Sequence, residues 1–237
     1  MSASPEEKTP TVVFVHGLWV NGMELVLLRQ MVRAEGFATE QFSYRTVAGD
    51  LDENATALRD FVTRLEGEPV HLVGHSLGGL VILRAFERFG AVCTGRVVFM
   101  GSPVQGSQAA RALAENRLGQ VILGQAQEGL ATDAAPVWRW PNELGVIAGS
   151  ASVGLGMAIT GLPRPNDGTV AVEETHIDGA QDRIEVRVTH SGMAISRRVA
   201  RQICHFLLTG GFSRDPADTE STRGSFRSDP SDEAPDD

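Results

Sequence analysis

Residues 70–79, with the sequence VHLVGHSLGG, decide the fold of this chain. They begin with a short apolar run typical of a buried strand, and the residues after them, up to Phe89, have the spacing of an amphipathic helix. The turn between them, Gly74-His75-Ser76-Leu77-Gly78, has the pattern G-x-S-x-G at a strand-to-helix junction. Side chains at its two glycines would collide with the neighbouring strand and helix. The turn also sets Ser76 at a helix N-terminus, where backbone N–H groups stabilise negative charge. Ser76 is therefore the candidate nucleophile.

The segments on either side alternate between strand and helix patterns. Strands are predicted at residues 11–15, 39–44, 70–73, 96–100, 144–148 and 183–188, and helices at 22–35, 54–65, 77–89, 107–117 and 193–208. Such alternation predicts an α/β fold with a mostly parallel central sheet and helices on both of its faces.

The length of 237 residues suits one folded domain. We expect it to span residues 10–211, after a short extension over residues 1–9. Residues 104–142 interrupt the alternation, and we interpret them as a helical insertion, a cap or lid packed over one edge of the sheet. Residues 212–237 are predicted to be a disordered acidic tail, because they contain too little apolar surface to order themselves.

Composition excludes several classes of protein. Lysine and arginine number 21 against 30 acidic residues, for a net charge of −9, and the single lysine, Lys8, leaves no polybasic tract. Nucleic-acid binding is therefore not expected. Residues 213–237 hold three arginines against eight acidic residues. Most of the acidity thus belongs to the tail, and the nearly balanced body can make transient contact with a membrane or lipid surface.

Two further features bear on the compartment. The chain has two cysteines, Cys93 and Cys204, which are too few for disulfide bonds to stabilise a chain of this length. Two buried free thiols are therefore expected. Residues 1–10 lack the apolar core of a secretory signal, and no apolar run is long enough to span a bilayer. These features predict a cytoplasmic protein.

A serine nucleophile needs a histidine to take its proton and a carboxylate to hold that histidine. His190 stands between the last strand and the last helix, at the carboxyl end of the sheet, where ligands bind in open α/β folds. We therefore expect His190 to be the base. The other histidines fall in turns, in a buried strand, in an acidic loop or well inside the last helix, where a packed side chain is expected (His16, His71, His75, His176, His205).

For the acid, residues 166–170, NDGTV, form a turn sequence between the strand at 144–148 and His190. Asp167 gives the chain order serine, acid, histidine that this arrangement of strands uses. The alternative is that this Asp-Gly pair is only a turn or a helix cap. Three other acids in the loop before the last strand remain alternatives: Glu174, Asp178 and Asp182.

The tetrahedral intermediate of acyl transfer needs two N–H donors. One is expected from Leu77, directly after the nucleophile, and one from Leu18, in the loop after the first strand, where Gly17 allows close approach. We expect Trp19 and His75 to contact substrate. Trp19 would line one side of an acyl pocket, although it could instead be a buried structural tryptophan.

Together these motifs resemble the α/β-hydrolase family, and within it the bacterial lipases and esterases that carry an HG-x oxyanion loop, a GHSLGG nucleophile elbow and an NDG-V acid turn. The resemblance covers about residues 10–209. It implies a triad of Ser76, Asp167 and His190, with Leu18 and Leu77 as oxyanion donors. The GSP sequence at 101–103 is also similar to a loop of that family. The calcium-binding aspartates of some of these lipases have no counterpart here, so no metal and no cofactor are expected.

We therefore predict a serine hydrolase that cleaves carboxylic esters through an acyl-enzyme intermediate. An apolar entrance or lid to the site could be formed by the apolar loop at 149–163 and the uncharged segment 121–126, and it would favour a small-molecule ester or acyl-lipid substrate. Equally, both segments could simply pack on the sheet. An acyltransferase or thioesterase on the same fold is the alternative, and a non-catalytic hydrolase-fold binding protein is a further one. Nothing in the sequence indicates an oligomeric state.

Overall fold

A computed structural model of the protein describes residues 9–18, 21–65, 69–114, 136–152 and 162–215. In this part of the chain one six-stranded sheet forms the centre, with the order β2-β1-β3-β4-β5-β6 and all neighbouring strands parallel. The strands are β1 (Thr11–Val15), β2 (Ala38–Phe42), β3 (Val70–His75), β4 (Val97–Met100), β5 (Leu144–Gly149) and β6 (Asp182–Val186). The predicted α/β architecture with a parallel sheet is confirmed.

Five α-helices connect and cover these strands in the described ranges: α1 (Val26–Ala34), α2 (Leu51–Val62), α3 (Leu77–Phe89), α4 (Gln108–Ala114) and α5 (Arg197–Thr209). Short 3₁₀ turns lie at Met23–Leu25, Glu173–Thr175 and Ser191–Ile195. Helix α2 begins three residues before the predicted start at residue 54. The reason is a cap, because the Asp50 side chain accepts a hydrogen bond from the Glu53 N–H.

The sheet is buried on both faces, as a parallel sheet requires. Along β1, Val12 and Phe14 pack with α1 and α5, whereas Val13 and Val15 pack with α2 and α3, and all four side chains are fully buried. The two cysteines are buried free thiols, one in each of these cores, as expected.

The described parts of the predicted insertion, 104–142, contain a predicted helix and differ from the expectation in one contact. Helix α4 is present, and its first turn is capped by Ser107, whose hydroxyl accepts from the Ala110 N–H at 3.1 Å. At the other end, the Trp138 ring packs against Phe86 of α3 and Phe99 of β4, at centroid distances of 4.7 and 6.0 Å. This end therefore covers an interior strand instead of an edge of the sheet. Residues 115–135 lie outside the described part.

The predicted start of the tail, at residue 212, is wrong. Phe212 is buried and packs against Phe206 of α5, with ring centroids 4.9 Å apart and the ring planes tilted by 30°. Its N–H donates to Asp182 Oδ2 at 2.7 Å, and the next N–H, of Ser213, donates to Gln202 Oε1 at 2.9 Å. The chain after α5 thus remains part of the fold, because an aromatic ring and two backbone donors find partners there. Residues 216–237 of the predicted tail lie outside the described ranges.

Candidate active site

The turn after β3 holds Ser76 in an unusual backbone conformation. Its φ of 56° makes it the only non-glycine residue with positive φ in the described part of the chain. A Cβ at Gly78 would overlap the Val15 carbonyl oxygen and lie 2.7 Å from that of His16, and a Cβ at Gly74 would lie 2.6 Å from the Gly79 nitrogen. Glycine is therefore required at both positions, as predicted. Strain of this kind, at the carboxyl edge of a sheet, is typical of a functional turn.

Asp167 lies in the turn after β5, and its carboxylate is 1% exposed. Its Oδ1 accepts from the N–H groups of Thr169 at 2.9 Å and Val170 at 2.7 Å. This leaves Oδ2 directed at His190, whose Nδ1 donates to it at 2.7 Å. The His190 N–H also donates to the Asp167 carbonyl oxygen at 2.9 Å. Backbone and side chain together hold the imidazole against the carboxylate, and its Nε2 remains for proton exchange.

The three alternative acids have other partners. Asp178 pairs with Nε2 of His176 at 3.0 Å on the surface. Asp182 binds Arg214 and the chain after α5. Glu174 is buried, and its carboxylate accepts from the backbone of α4 and of the acid turn; burial raises its pKa. Of the four candidates, Asp167 is the one that contacts His190.

The loop after β1 lies directly against the nucleophile. A Cβ built on Gly17 would be 3.1 Å from Ser76 Cβ, so a residue with a side chain would be crowded here and glycine lets the chain pass close to the serine. Leu18 follows in this loop, and Leu77 is the first residue of α3, where backbone N–H groups have no partner within the helix. The two predicted oxyanion donors therefore belong to segments on either side of Ser76. Trp19 lies outside the described residues.

His16 and Tyr44 fix the start of this loop. The Tyr44 hydroxyl donates to the His16 carbonyl oxygen at 2.7 Å, and the two rings stack with centroids 4.5 Å apart. His16 is fully buried, and burial lowers its pKa. Tyr44 is a residue that sequence reasoning missed, because its role depends on β1 and β2 being neighbours. The signal available was its position as the single tyrosine, at the end of the predicted strand at 39–44.

His75 lies beside the candidate base, and its contact with substrate stays a prediction. Its side chain is buried, and Nε2 donates to the His190 carbonyl oxygen at 3.2 Å. Its ring lies beside that of His190, with centroids 4.9 Å apart. Ser76, the next residue, is thereby brought to the same edge of the sheet as His190. His205, expected to be packed, is exposed on α5, where its Nδ1 donates to the Gly211 carbonyl oxygen.

Within the described residues, the Ser76 hydroxyl makes no hydrogen bond to the His190 ring. Hydrogen bonds between catalytic groups are often long or poorly aligned in the absence of substrate and tighten in the complex. Gly101, after β4, is a second residue that sequence reasoning did not place in the site. A Cβ there would lie 3.2 Å from both Asp167 Oδ2 and His190 Nδ1, so only a glycine lets β4 approach this pair so closely.

Comparison with known proteins places the chain in a family. The sequence model of the alpha/beta hydrolase family matches residues 12–233. The chain belongs to the alpha/beta hydrolase family. Membership agrees with the parallel sheet and with the strained serine after β3. A search of curated proteins found no significant match to this sequence.

Several solved structures share this fold. The mature lipase BlEst2 of Bacillus licheniformis superposes with a TM-score of 0.69 at 20% identity, over 87% of this chain and 94% of the lipase. The metagenomic carboxyl esterase MGS0156 gives 0.61 at 21% identity, over 78% of this chain and 65% of the esterase. The type II thioesterase BorB, from the borrelidin biosynthetic cluster, gives 0.57 at 16% identity, over 88% and 94%. At these identities the likeness establishes the fold.

Two searches of the described residues bear on metals and membranes. No three histidine, cysteine, aspartate or glutamate side chains cluster there as possible metal ligands, and the expected absence of a metal stays a prediction. In the same ranges, no helix has the length and apolarity needed to cross a bilayer.

Proposed function

We propose that this alpha/beta hydrolase cleaves carboxylic esters through an acyl-enzyme formed on Ser76. The observation that carries the proposal is the 2.7 Å hydrogen bond from His190 Nδ1 to the buried Asp167 carboxylate. It joins residues from two separate turns, beside a serine with a φ of 56°. A base held by an acid next to a strained serine supports nucleophilic acyl transfer.

In the proposed reaction, Ser76 Oγ attacks the ester carbonyl carbon while His190 Nε2 takes the hydroxyl proton. The electron pair of the carbonyl bond moves to its oxygen, which accepts hydrogen bonds from the Leu18 and Leu77 N–H groups. When the tetrahedral intermediate collapses, the C–O bond to the alcohol breaks, and the alcohol leaves with the proton from His190. Water then repeats the sequence on the acyl-enzyme, releasing the carboxylic acid and restoring Ser76.

Asp167 serves this cycle by stabilising the positive imidazolium that forms twice. Because its carboxylate is almost fully buried, water screens its charge weakly, and its attraction to the imidazolium is stronger than at a surface. The two backbone donors to Oδ1 fix the carboxylate, so that no reorientation is needed when the charge develops.

The substrate proposed is a small-molecule ester with an apolar acyl group, as in an acyl lipid. The expectation of an apolar entrance depended on segment 121–126 and on the loop at 149–163. Segment 121–126 and residues 153–161 of that loop lie outside the described residues. The family resemblance to lipases and esterases supports this substrate class. The same residues would also cleave a thioester, so thioesters belong in the test.

The test is an ester panel with short and long acyl chains on one aryl alcohol, together with acyl thioesters, run on the wild type and on Ser76→Ala. We expect the wild type to hydrolyse at least one aryl ester and Ser76→Ala to reach only the background rate. Turnover of thioesters alone would shift the proposal to a thioesterase. A wild type that never exceeds Ser76→Ala on any substrate would contradict the proposed function.

A further inference from the structure

His75 connects the nucleophile turn to the candidate base. It is the last residue of β3, and its Nε2 donates to the carbonyl oxygen of His190 at 3.2 Å. On the other side, the His190 N–H is held by the Asp167 carbonyl oxygen at 2.9 Å. The main chain of His190 is therefore fixed at both its donor and its acceptor, and the acceptor's partner is one side chain.

The protonation state of His75 is set by its surroundings. Burial, followed by the neighbouring His190, lowers the pKa of His75 to about 3, so the ring is neutral wherever the enzyme is folded near neutral pH. A neutral imidazole has one N–H. Since a carbonyl oxygen can only accept, the proton must be on Nε2, and His75 is a donor to His190.

The other ring nitrogen of His75 makes no comparable contact among the described residues. Nδ1 of His75 is buried and has no hydrogen-bond partner among the described residues. It faces the loop after β1, where a Cβ on Gly17 would lie 3.5 Å away. The hydrogen bond from Nε2 to the His190 carbonyl oxygen is the contact that a leucine of similar bulk at this position could not make.

We propose that His75 is a positioning residue that holds the main chain of His190, and through it the catalytic imidazole, at a fixed distance from Ser76. This inference rests on the proposed function. His75, which directly precedes the nucleophile in sequence, thus determines the position of the base, His190. Its neutrality is part of the role, because a charged neighbour would oppose the imidazolium that His190 becomes during each half-reaction.

Three substitutions separate this bond from the bulk of the side chain. In glutamine the amide nitrogen lies as many bonds from Cβ as Nε2 does in histidine, so His75→Gln can still donate to the His190 carbonyl oxygen. In asparagine the amide nitrogen lies at the position of Nδ1, so His75→Asn is polar but too short. His75→Leu removes the donor altogether. The control is His205→Gln, at an exposed histidine of α5.

We expect His75→Leu and His75→Asn to lower kcat at least about tenfold, with KM changed by less than about twofold, since a small displacement of a catalytic group affects the transition state and not substrate binding. His75→Gln should recover most of the wild-type kcat, and His205→Gln should equal the wild type. Equal losses in all three His75 variants, or none in His75→Leu, would overturn the proposal. In either case an active wild type would leave the proposed function standing.

A measurement on the wild type covers the case in which the variants do not fold. Long-range ¹H–¹⁵N spectra of the histidine rings should show His75 neutral, with its proton on Nε2, between about pH 5 and 9. A proton on Nδ1, or titration of His75 in that range, would overturn the proposal. If instead the wild type hydrolyses no ester and reacts with no fluorophosphonate, the proposed function fails, and the spectrum still decides whether His75 donates to His190.

Discussion

Replacing Asp167 with asparagine should preserve the fold and nearly abolish catalysis. Oδ1 of Asp167 accepts from two backbone N–H groups, of Thr169 and Val170. The asparagine must keep its carbonyl oxygen there, because an NH₂ group would face two donors. Its NH₂ is therefore directed at His190 Nδ1, which lies 2.7 Å from the carboxylate in the wild type. That nitrogen can then only accept, and the ring proton is forced onto Nε2, the atom that has to take the proton of Ser76.

The size of the effect follows from the tautomer. In serine hydrolases with such a triad, the wrong tautomer lowers kcat about 10⁴-fold. This corresponds to about 5.5 kcal/mol of lost transition-state stabilisation, at about 1.4 kcal/mol for each factor of ten. The free energy of unfolding should fall by only about 1–3 kcal/mol, since one charged hydrogen bond is lost and the two bonds to the backbone remain.

The assay is kcat on an aryl ester, with the thermal unfolding midpoint measured on the same samples. Asp178→Asn is the matched control, because Asp178 also pairs with a histidine, His176, at 3.0 Å, but on the surface. It should retain wild-type kcat within about twofold. The reasoning is refuted if a folded Asp167→Asn keeps more than about a tenth of the wild-type kcat, or if Asp178→Asn loses as much.

Three further predictions concern the parts that support the site. Gly78→Ala would push a Cβ into the carbonyl oxygens at the end of β1, so the free energy of unfolding in urea should fall by about 1–3 kcal/mol, and an unchanged value would contradict this packing. Burial lowers the pKa of His71 from 6.5 to about 4. Because the unfolded chain takes up the proton first as the pH falls, this histidine should remove up to about 3 kcal/mol of stability between pH 6.5 and 4. His71→Asn, whose oxygen can still accept from the Arg96 N–H, should flatten that slope, and equal slopes would exclude His71 as its source. Tyr44→Phe leaves the His16 carbonyl oxygen without its 2.7 Å donor, so thermal and urea unfolding should show a loss of about 1–3 kcal/mol, and a variant as stable as the wild type would count against this bond.

The sequence predicted those features that depend on neighbours along the chain. The elbow at Ser76 is recognisable because a strand, a tight turn and a helix follow within a few residues, and glycine at positions 74 and 78 is a local steric demand. The contact between Asp167 and His190 was predictable from their order, since both follow strands whose carboxyl ends lie at the same edge of a parallel sheet.

Features that depend on distant contacts could not be predicted in the same way. The direction of the His75 ring is decided by the main chain of His190, which is 115 residues away. The burial of Phe212 depends on Phe206 and on Asp182 of the edge strand, although the residues after it have a disordered composition. A single apolar residue in a polar segment has no periodicity to reveal such a partner.

The most direct test of the account is the site at which a fluorophosphonate reacts, determined by mass spectrometry of the digested protein. The serine oxygen displaces fluoride and forms a stable bond to phosphorus, so the probe reports an activated nucleophile without a known substrate. We predict one adduct, on Ser76, that forms much more slowly in His190→Ala and is absent in Ser76→Ala. No adduct in the wild type, or an adduct on another residue that persists in Ser76→Ala, would contradict the central claim.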